Sequence, residues 1–507
     1  MRRGPAADTS AGMDAVFSSD PPEPCPAPFN LADHVLRHSV RLSEKAALVE
    51  IGGDTWSYGK LRRAVLGTAA GLLEHAHPGQ RVLLRLGDTV DFPIAFLGAI
   101  AAGLVPAPAS AQLTETEISL LAKALGPALV ITAPGLAAPK GHTPRLGLES
   151  LRAMRARPPV DPALGDPDRP AFIVFTSGTA AGPRGVIHAH RAVWARRMMI
   201  ADWEGLRETD RLLHAGAFNW TYTLGTGLLD PWAMGATALI PGRSAAPEDL
   251  ADRLAEQRAT IFAAVPGVYR RMLRSAPPPL PWLRHGLSAG EKLPETLRQD
   301  WQKATGTDIH EAYGQSECST FVSGSPFMPA PPGTLGRPQR GRRVAVLDTD
   351  GSPVAIGMPG RLAVAAEDPG LMLSYLDGPD ENACGAWRTT GDVAAMDEDG
   401  WIVYLGRDDD VMTAGGYRVS PLEVEAAAVE VAGVEEAAAF EREVRPGLRV
   451  IALAYCAATD LDAEIATHLA ERLARYKRPR IVERRADLPK NRNGKLQRRA
   501  LREEPRP

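Results

Sequence analysis

The most informative segment of the sequence is FIVFTSGTAAGPRG, residues 172–185. It begins with an apolar run that predicts a buried strand. The rest is a loop of hydroxyls and glycines that ends in a cation, Arg184. Glycines let a backbone approach a ligand closely, hydroxyl and N–H groups point at oxyanions, and a guanidinium adds a bidentate phosphate donor. The segment therefore predicts a phosphate-binding loop, with a flexible surface loop as the alternative, and it does not meet the P-loop pattern GxxxxGK[ST].

Further short apolar runs lie on both sides of this segment, at residues 82–84, 129–131 and 261–265. Residues 247–258 and 293–305 are amphipathic and predict helices, the second of which ends at Gly306. Short apolar runs that alternate with amphipathic helices are typical of βαβ units in a mainly parallel sheet. The sequence therefore predicts an α/β protein.

The composition excludes several classes of protein. Of the 507 residues, 58 are Lys or Arg and 61 are Asp or Glu, so the net charge of −3 provides no field for a nucleic acid partner. The most apolar stretch, residues 92–109, is interrupted by prolines and predicts a buried helix followed by a strand rather than a membrane span. The four cysteines are far apart and include no CxxC pair, which argues against a disulfide framework or a zinc site. We expect a cytoplasmic protein with no nucleic acid or membrane partner.

The composition and the predicted secondary structure change along the chain. Residues 1–28 are rich in Pro, Ala and Asp without an apolar signal core, and they predict a disordered leader. After Gly333, short strands separated by turns predict a small β-rich subdomain. The polar run GRDDD at 406–410 predicts a boundary, so we expect an N-terminal domain over 29–406 and a C-terminal domain over 407–507.

Four more segments follow the phosphate loop in a fixed order: YGQSE at 313–317, TGD at 390–392, GRDDD at 406–410 and PKNRNGK at 489–495. With this set of motifs, the chain resembles the adenylate-forming superfamily of acyl-CoA synthetases, carrier-loading adenylation domains and beetle luciferases. The resemblance extends from about Trp56 to Leu501. It implies an α/β fold with a large N-terminal domain of two αβ subdomains plus a small β-barrel-like subdomain, followed by a small mobile α+β C-terminal domain.

The resemblance also implies an ATP site. The residues that it assigns to ATP binding are Thr176, Ser177, Gly178, Thr179, Gly290, Glu291, Tyr313, Gly314, Ser316, Asp392 and Arg407. Within this set, the loop and Arg184 would hold phosphates, Tyr313 would stack on adenine, and Asp392 would accept the ribose hydroxyls. The predicted catalytic residues are Lys495, Glu317 and Arg184, where Glu317 holds Mg²⁺ and Lys495 stabilises the charge that develops as a carboxylate attacks the α-phosphorus.

The C-terminal domain of the resembled family rotates between two half-reactions. Asp409 matches the hinge position, and Gly415 and Gly416 match a loop beside the pantetheine arm of coenzyme A, with a simple tight turn as the alternative for the glycines. Two positions depart from the family pattern: Arg184 stands where Lys is usual and Asn491 where Thr is usual. Both substitutes donate hydrogen bonds, so we expect altered kinetics rather than lost activity.

The acid and its acceptor are predicted less directly. No carrier domain follows Lys495, so we expect coenzyme A as the acceptor, with a stand-alone adenylation enzyme that loads a separate carrier protein as the alternative. The resemblance implies Phe218, Trp220 and Gly314 as acyl-pocket residues, with an ordinary core aromatic as the alternative for Trp220. Acetyl-CoA synthetases carry Trp where this chain has Gly314, so the resemblance favours a medium-chain or aryl acid. A binding or scaffold protein on a decayed enzyme fold is disfavoured because Lys495 and Glu317 are present.

Overall fold

The protein divides into two compact units. Its structure, a computed structural model, describes residues 13–176, 184–242, 246–376, 378–408, 410, 412–414, 417–445, 448–490 and 496–503. The large unit comprises Ser18–Arg343 and Ala366–Glu381. The small unit comprises Met1–Phe17, Val344–Ala365 and Asn382–Pro507.

Strands and helices alternate through the large unit, whereas strands dominate the small one. The strands are β1 (Val16–Ser18), β2 (Ala46–Glu50), β3 (Thr55–Ser57), β4 (Arg81–Arg85), β5 (Val105–Pro108), β6 (Leu129–Thr132), β7 (Arg145–Gly147), β8 (Pro170–Thr176), β9 (Arg184–Ala189), β10 (Arg211–His214), β11 (Thr237–Ile240), β12 (Ile261–Ala264), β13 (His285–Ala289), β14 (Ile309–Gln315), β15 (Ser319–Ser323), β16 (Arg337–Pro338), β17 (Arg343–Leu347), β18 (Gly360–Ala365), β19 (Ser374–Tyr375), β20 (Ala383–Cys384), β21 (Trp387–Met396), β22 (Ile402–Arg407), β23 (Met412–Ala414), β24 (Tyr417–Val419), β25 (Val434–Arg445), β26 (Leu448–Ala457) and β27 (Ile481–Arg485). The α-helices are α1 (Leu31–Val35), α2 (Tyr58–Leu72), α3 (Asp91–Ala101), α4 (Glu115–Leu125), α5 (Leu148–Met154), α6 (Ala192–Ala195), α7 (Arg197–Met199), α8 (Thr221–Leu224), α9 (Asp230–Ala233), α10 (Leu250–Glu256), α11 (Pro266–Met272), α12 (Glu295–Thr305), α13 (Pro421–Val429), α14 (Asp462–Arg472) and α15 (Arg498–Glu503). Short 3₁₀ turns lie at Arg37–Ser39, Pro247–Asp249 and Arg475–Lys477, and π-helical turns at Ile200–Glu204 and Gly225–Leu229.

Three sheets form the large unit. The nine-stranded sheet has the order β16-β15-β14-β13-β12-β10-β11-β2-β3 and is parallel from β14 to β2. A four-stranded parallel sheet has the order β5-β4-β6-β7. These sheets, with helices between consecutive strands, confirm the predicted α/β class. The strand predicted at 172–175 differs in its pairing: β8 is antiparallel to β9 in a three-stranded sheet, because the short loop between them closes a hairpin.

The apolar stretch at 92–109 forms the buried helix and strand that the sequence predicts. Every residue of α3 is buried, and β5, which follows it, is buried along its whole length. Within the described ranges, no helix is both long enough and apolar enough to cross a bilayer.

The small unit contains the β-rich region predicted after Gly333. Strands β1, β17, β18, β20, β21 and β22 form one six-stranded sheet, in which β21 and β22 are antiparallel and are joined through Asp399-Gly400. A second sheet, β25-β26-β27, packs with α13 and α15. The residue contacts group the six-stranded sheet with the C-terminal segment, and the predicted domain boundary at 406/407 remains a prediction.

The predicted disordered leader is corrected from residue 13 onward. Residues Val16–Ser18 form β1 at the edge of the six-stranded sheet. The Ala15 N–H donates to the Val354 carbonyl at 2.7 Å, and the Val346 N–H donates to the Ala15 carbonyl at 3.0 Å. Ala15 is fully buried. The segment is ordered because it completes the edge of this sheet, and its composition does not reveal this pairing. Residues 1–12 lie outside the described residues.

Candidate active site

The phosphate loop is closed at its base by a strand pair. Thr176, the last residue of β8, lies opposite Arg184, the first residue of β9, and the Thr176 hydroxyl donates to the Arg184 carbonyl at 3.4 Å. The hairpin therefore brings the two ends of the loop together at the end of a buried strand. Ser177, Gly178 and Thr179, which the sequence assigns to phosphate binding, lie outside the described residues.

Tyr375 connects the cation of this loop to the predicted magnesium ligand. The Arg184 guanidinium lies 3.5 Å from the centroid of the Tyr375 ring and donates to the Pro379 carbonyl at 2.8 Å. The Tyr375 hydroxyl donates to Glu317 Oε1 at 2.8 Å. Strand β19 runs along β9 and holds Tyr375 in this position. The sequence analysis missed Tyr375, because its partners are far away in the chain.

The segment YGQSE forms the tip of a hairpin. Tyr313 lies near the end of β14, and Ser316 and Glu317 occupy the turn that leads into β15. The half-buried Tyr313 ring contacts Phe321 edge-on, with 5.4 Å between the ring centroids. In the described ranges, no group of three or more His, Cys, Asp or Glu side chains could hold a metal ion. A single carboxylate fits Mg²⁺, which is commonly held by one or two carboxylates together with substrate phosphates.

Gly290 lies at the carboxyl end of β13, beside this hairpin. Ala289 of β13 pairs with Ala312 of β14, so Gly290 and Glu291 follow at the level of Tyr313. Gly290 has φ +94°, a conformation that favours glycine. The predicted adenine contacts are therefore close together along the edge of one sheet.

The three predicted acyl-pocket residues have different surroundings. Phe218 is buried and stacks on Phe92, with 5.0 Å between the ring centroids. Trp220 is half-buried and directly precedes α8. A Cβ at Gly314 would lie 2.0 Å from the Ser319 carbonyl oxygen, so the backbone of β15 fills the space beside this glycine. At Gly314, where acetyl-CoA synthetases carry Trp, the space that a side chain would need is therefore occupied by the chain itself.

A cavity of about 30 Å³ lies beside the turn that carries Glu317. It is lined by Phe172, His188, Ala192, Val193, Arg196, Thr221, Leu224, Gly225, Leu229, Cys318, Ser319, Arg342 and Gly370. Thr221 follows Trp220, and Cys318 follows Glu317 in sequence. The cavity therefore adjoins both the predicted acyl contact and the predicted magnesium ligand.

A buried ion cluster forms one wall of this cavity. The Arg196 guanidinium donates to both carboxylate oxygens of Asp230 and to the Ser319 hydroxyl. Glu204 accepts a hydrogen bond from the Thr226 hydroxyl at 2.8 Å. Burial, reinforced by the charge of Asp230, raises the pKa of Glu204 well above its usual value, so the protonated form of Glu204 is favoured in this cluster.

Asp392 and Arg407 lie opposite each other on the hairpin of the small unit. Arg407 Nη1 is 3.6 Å from Asp392 Oδ1, and the Tyr404 hydroxyl donates to the same oxygen at 3.2 Å. Burial raises the pKa of Tyr404, so its hydroxyl remains a donor at neutral pH. Asp392 and Arg407 belong to motifs that the sequence reveals, whereas Tyr404 belongs to none of them and was not predicted.

A second ion cluster, in the small unit, holds helix α15. Arg498 donates to both carboxylate oxygens of Glu425, at 2.8 and 2.7 Å, and lies 3.4 Å from Asp410 Oδ2. Arg502 donates to Asp410 Oδ1 at 2.8 Å. Arg498 follows the PKNRNGK motif closely. Four other predicted residues, namely Asp409, Gly415, Gly416 and Lys495, lie outside the described residues.

The sequence matches known families over most of its length. Residues 36–376 match the AMP-binding enzyme family, and residues 423–495 match the AMP-binding enzyme C-terminal domain. The chain belongs to the AMP-binding enzymes. The predicted resemblance to adenylate-forming enzymes, and with it the fold class, is therefore confirmed.

Several relatives of this AMP-binding enzyme are similar from end to end. A benzoate–CoA ligase from Thauera aromatica is 31% identical, over 96% of this chain and 98% of its own length. A 4-hydroxybenzoate–CoA/benzoate–CoA ligase from Rhodopseudomonas palustris is 32% identical, over 88% of each chain. The crystal structure of an anthranilate CoA ligase with anthranoyl-AMP superposes with a TM-score of 0.86 at 25% identity, over 94% of this chain and 97% of that one. The prediction of an AMP-forming acid–thiol ligase that uses ATP, Mg²⁺ and coenzyme A is confirmed at the level of reaction class.

Proposed function

We propose that this AMP-binding enzyme is a cytoplasmic aryl acid:CoA ligase. The observation that carries the proposal is the end-to-end similarity to benzoate–CoA ligase. None of the four cysteines, all of which lie in the described ranges, forms a disulfide, which suits a reducing compartment. In the first half-reaction, a carboxylate oxygen attacks the α-phosphorus of ATP and pyrophosphate leaves. In the second, the thiol of coenzyme A attacks the acyl carbon and AMP leaves.

The residues of the large unit would bind the triphosphate and the base. Thr176 and Arg184, with the loop between them, hold the β- and γ-phosphates, and Tyr313 stacks on adenine beside Gly290. Glu317 holds Mg²⁺, which neutralises phosphate charge when bound. Tyr375 orients Glu317 through its hydroxyl, and the stacking of Arg184 on the same ring gives a reason for Arg rather than Lys at this position.

The residues of the small unit would bind ribose and complete the chemistry. Asp392 accepts the ribose hydroxyls, with Tyr404 and Arg407 holding its carboxylate in place. Lys495 stabilises the charge that develops at the α-phosphate during acid attack. Asp409 acts as the hinge between half-reactions, and Gly415 and Gly416 leave room for the pantetheine arm.

A substrate panel tests the proposal. Pyrophosphate release is measured with benzoate, hexanoate, octanoate and acetate, each with and without coenzyme A. We expect the highest kcat/KM with benzoate and multiple turnovers only when coenzyme A is present. A higher kcat/KM for the aliphatic acids would contradict the aryl assignment. Rapid acyl-adenylate formation without turnover to coenzyme A would favour the carrier-loading alternative.

Lys495→Ala tests the proposed role of the lysine. Loss of a charge aimed at a transition state costs about 3–4 kcal/mol, so adenylation should fall about 10²- to 10³-fold. Conversion of pre-formed benzoyl-adenylate and coenzyme A to thioester should stay close to the wild-type rate. An equal loss in both assays would show that Lys495 supports the structure rather than the first half-reaction.

A further inference from the structure

The cavity beside Ser319 is small and mainly apolar. Its volume is about 30 Å³, and a cavity needs roughly 10–15 Å³ to hold one water molecule, so it has room for a small substituent. The π-helical turn Gly225–Leu229 contributes its first and last residues to the lining of the cavity. Such turns are rare and occur frequently at functional sites.

The backbone beside the cavity leaves room for the Arg196 guanidinium. A Cβ at Gly225 would lie 1.9 Å from Arg196 Cζ, so only glycine allows the two groups to lie against each other. Asp230 and Ser319 fix the orientation of the guanidinium. Arg196 therefore presents its N–H groups at a constant position in the cavity wall.

His188 contributes a hydrogen-bonding atom with no partner. The ring is 2% exposed and stacks on Phe172, with 4.7 Å between the centroids and an interplanar angle of 14°. In the described part of the chain, Nε2 has no hydrogen-bond partner, whereas the ring also hydrogen-bonds to the Ser316 backbone. Because the Ser316 bond leaves Nε2 free, Nε2 can accept a proton donor that enters the cavity. Burying a hydrogen-bond acceptor without a partner costs free energy. The position of Nε2 therefore indicates where a hydrogen-bond donor of a ligand would bind.

The charges around the cavity determine which kind of ligand substituent it can bind. Arg196 is paired with Asp230, and Arg342, which also lines the cavity, is paired with Asp368. Each guanidinium is therefore already neutralised, and the cavity has no excess positive charge for a second carboxylate. It offers one acceptor and guanidinium donors, which a hydroxyl or an amino group can satisfy.

We propose that this cavity receives a hydroxyl or amino substituent on the ring of the aryl acid, and that His188 Nε2 is the acceptor that selects for it. This inference rests on the proposed function and names its substrate class more closely. The substituent donates its O–H or N–H to His188, and its lone pair faces the Arg196 guanidinium. Benzoate leaves the acceptor without a partner, and a methoxy group fills the site without a donor.

The wild-type enzyme tests the inference without any substitution. We would measure kcat/KM for thioester formation with benzoate and with the 2-, 3- and 4-isomers of hydroxy-, amino- and methoxybenzoate. One hydroxy or amino isomer should exceed both benzoate and its methoxy counterpart by about 10-fold or more, since one buried hydrogen bond is at stake. If benzoate equals or exceeds every hydroxy and amino isomer, the inference fails while the proposed function stands. Activity with octanoate but with no aromatic acid would contradict the proposed function itself.

His188→Leu tests whether His188 selects the ring substituent. The preference for the favoured isomer over benzoate should fall to about one, because the substituted variant lacks the acceptor. His190→Leu is the matched control: His190 is equally buried but accepts from the Leu31 N–H at 3.0 Å and does not line the cavity. This control should retain the wild-type preference. An unchanged preference in His188→Leu, or an equal loss in His190→Leu, would overturn the assignment to His188.

Discussion

The backbone around Gly314 leaves no room for a side chain at this position. A Cβ at Gly314 would meet the Ser319 carbonyl oxygen at 2.0 Å and the Thr320 Cα at 2.4 Å, and backbone atoms cannot rotate away. We expect Gly314→Ala to lower the free energy of unfolding by about 1–3 kcal/mol, measured by urea denaturation. Gly267→Ala is the control, since a Cβ on this residue of α11 would meet nothing within 4 Å and should raise that free energy by about 0.5–1 kcal/mol. A neutral Gly314→Ala would contradict the close approach of β15.

Tyr375 is a second residue whose contacts predict a measurable effect. Its hydroxyl is the donor to Glu317, so Tyr375→Phe should leave the carboxylate less well oriented for Mg²⁺. Groups that orient metal ligands commonly contribute about 10- to 100-fold to metal affinity. The Mg²⁺ concentration for half-maximal pyrophosphate exchange should rise about 10-fold, with kcat largely recovered at high Mg²⁺. Tyr269→Phe, which removes a buried hydroxyl that donates to the Leu287 carbonyl, should not shift the Mg²⁺ dependence. The same shift in both variants would exclude a specific role for Tyr375.

The sequence predicts elements well where the signal is local. The helix predicted at 293–305 is observed as Glu295–Thr305, and Gly306 ends it with φ +72°. The pairing partner of an element is a nonlocal property, so a strand pattern at 172–175 does not show that β8 pairs with β9 antiparallel. A regular pattern also does not reveal the irregularity between Tyr313 and Gly314, which determines where that glycine faces. The contacts of His188 with Phe172 and with the Ser316 backbone also depend on the fold, so a local pattern could not predict them.

Helix α15 depends on the ion cluster that holds its first residue. Arg498 is 13% exposed and its main partner, Glu425, is 11% exposed. Arg498→Met should lower the free energy of unfolding by about 3–5 kcal/mol, because it leaves a buried carboxylate without its cation. Adenylation should also fall, because Arg498 follows Lys495 by only three residues in the sequence.

A surface arginine on the same helix provides the control for this prediction. Arg499 is 72% exposed and pairs with Glu503, so Arg499→Met should change the free energy of unfolding by no more than about 0.5 kcal/mol. Glu425→Gln combined with Arg498→Met should recover part of the lost stability, because the uncompensated charge is then gone. Denaturation midpoints and pyrophosphate exchange are measured for all four proteins. Equal stability of the two single arginine variants would contradict a structural role for the cluster.

Over the whole molecule, some pairings join segments that are distant in sequence. Strand β1 is near the N-terminus but pairs with β17, and this contact gives order to a segment whose composition predicts a leader. Similarly, Tyr375 reaches Glu317 because β19 returns to the edge of β9. The motifs identify the chemistry of the site, whereas the residues that orient those motifs become visible only in three dimensions.

The buried histidines of the large unit predict how stability depends on pH. Burial lowers the pKa to about 4 for His285 and to about 3 for His190, His214 and His310. In the unfolded chain these groups have a pKa near 6.5, so below that pH the unfolded state binds more protons than the folded state. The free energy of unfolding should therefore be unaffected by these groups above pH 7 and fall by up to about 1.4 kcal/mol per pH unit for each histidine between about pH 6 and pH 4. His310→Gln should reduce the slope by up to about 1.4 kcal/mol per pH unit, the share of one histidine. Urea denaturation at a series of pH values measures each slope, and identical slopes for the wild type and His310→Gln would show that His310 is protonated in the folded protein.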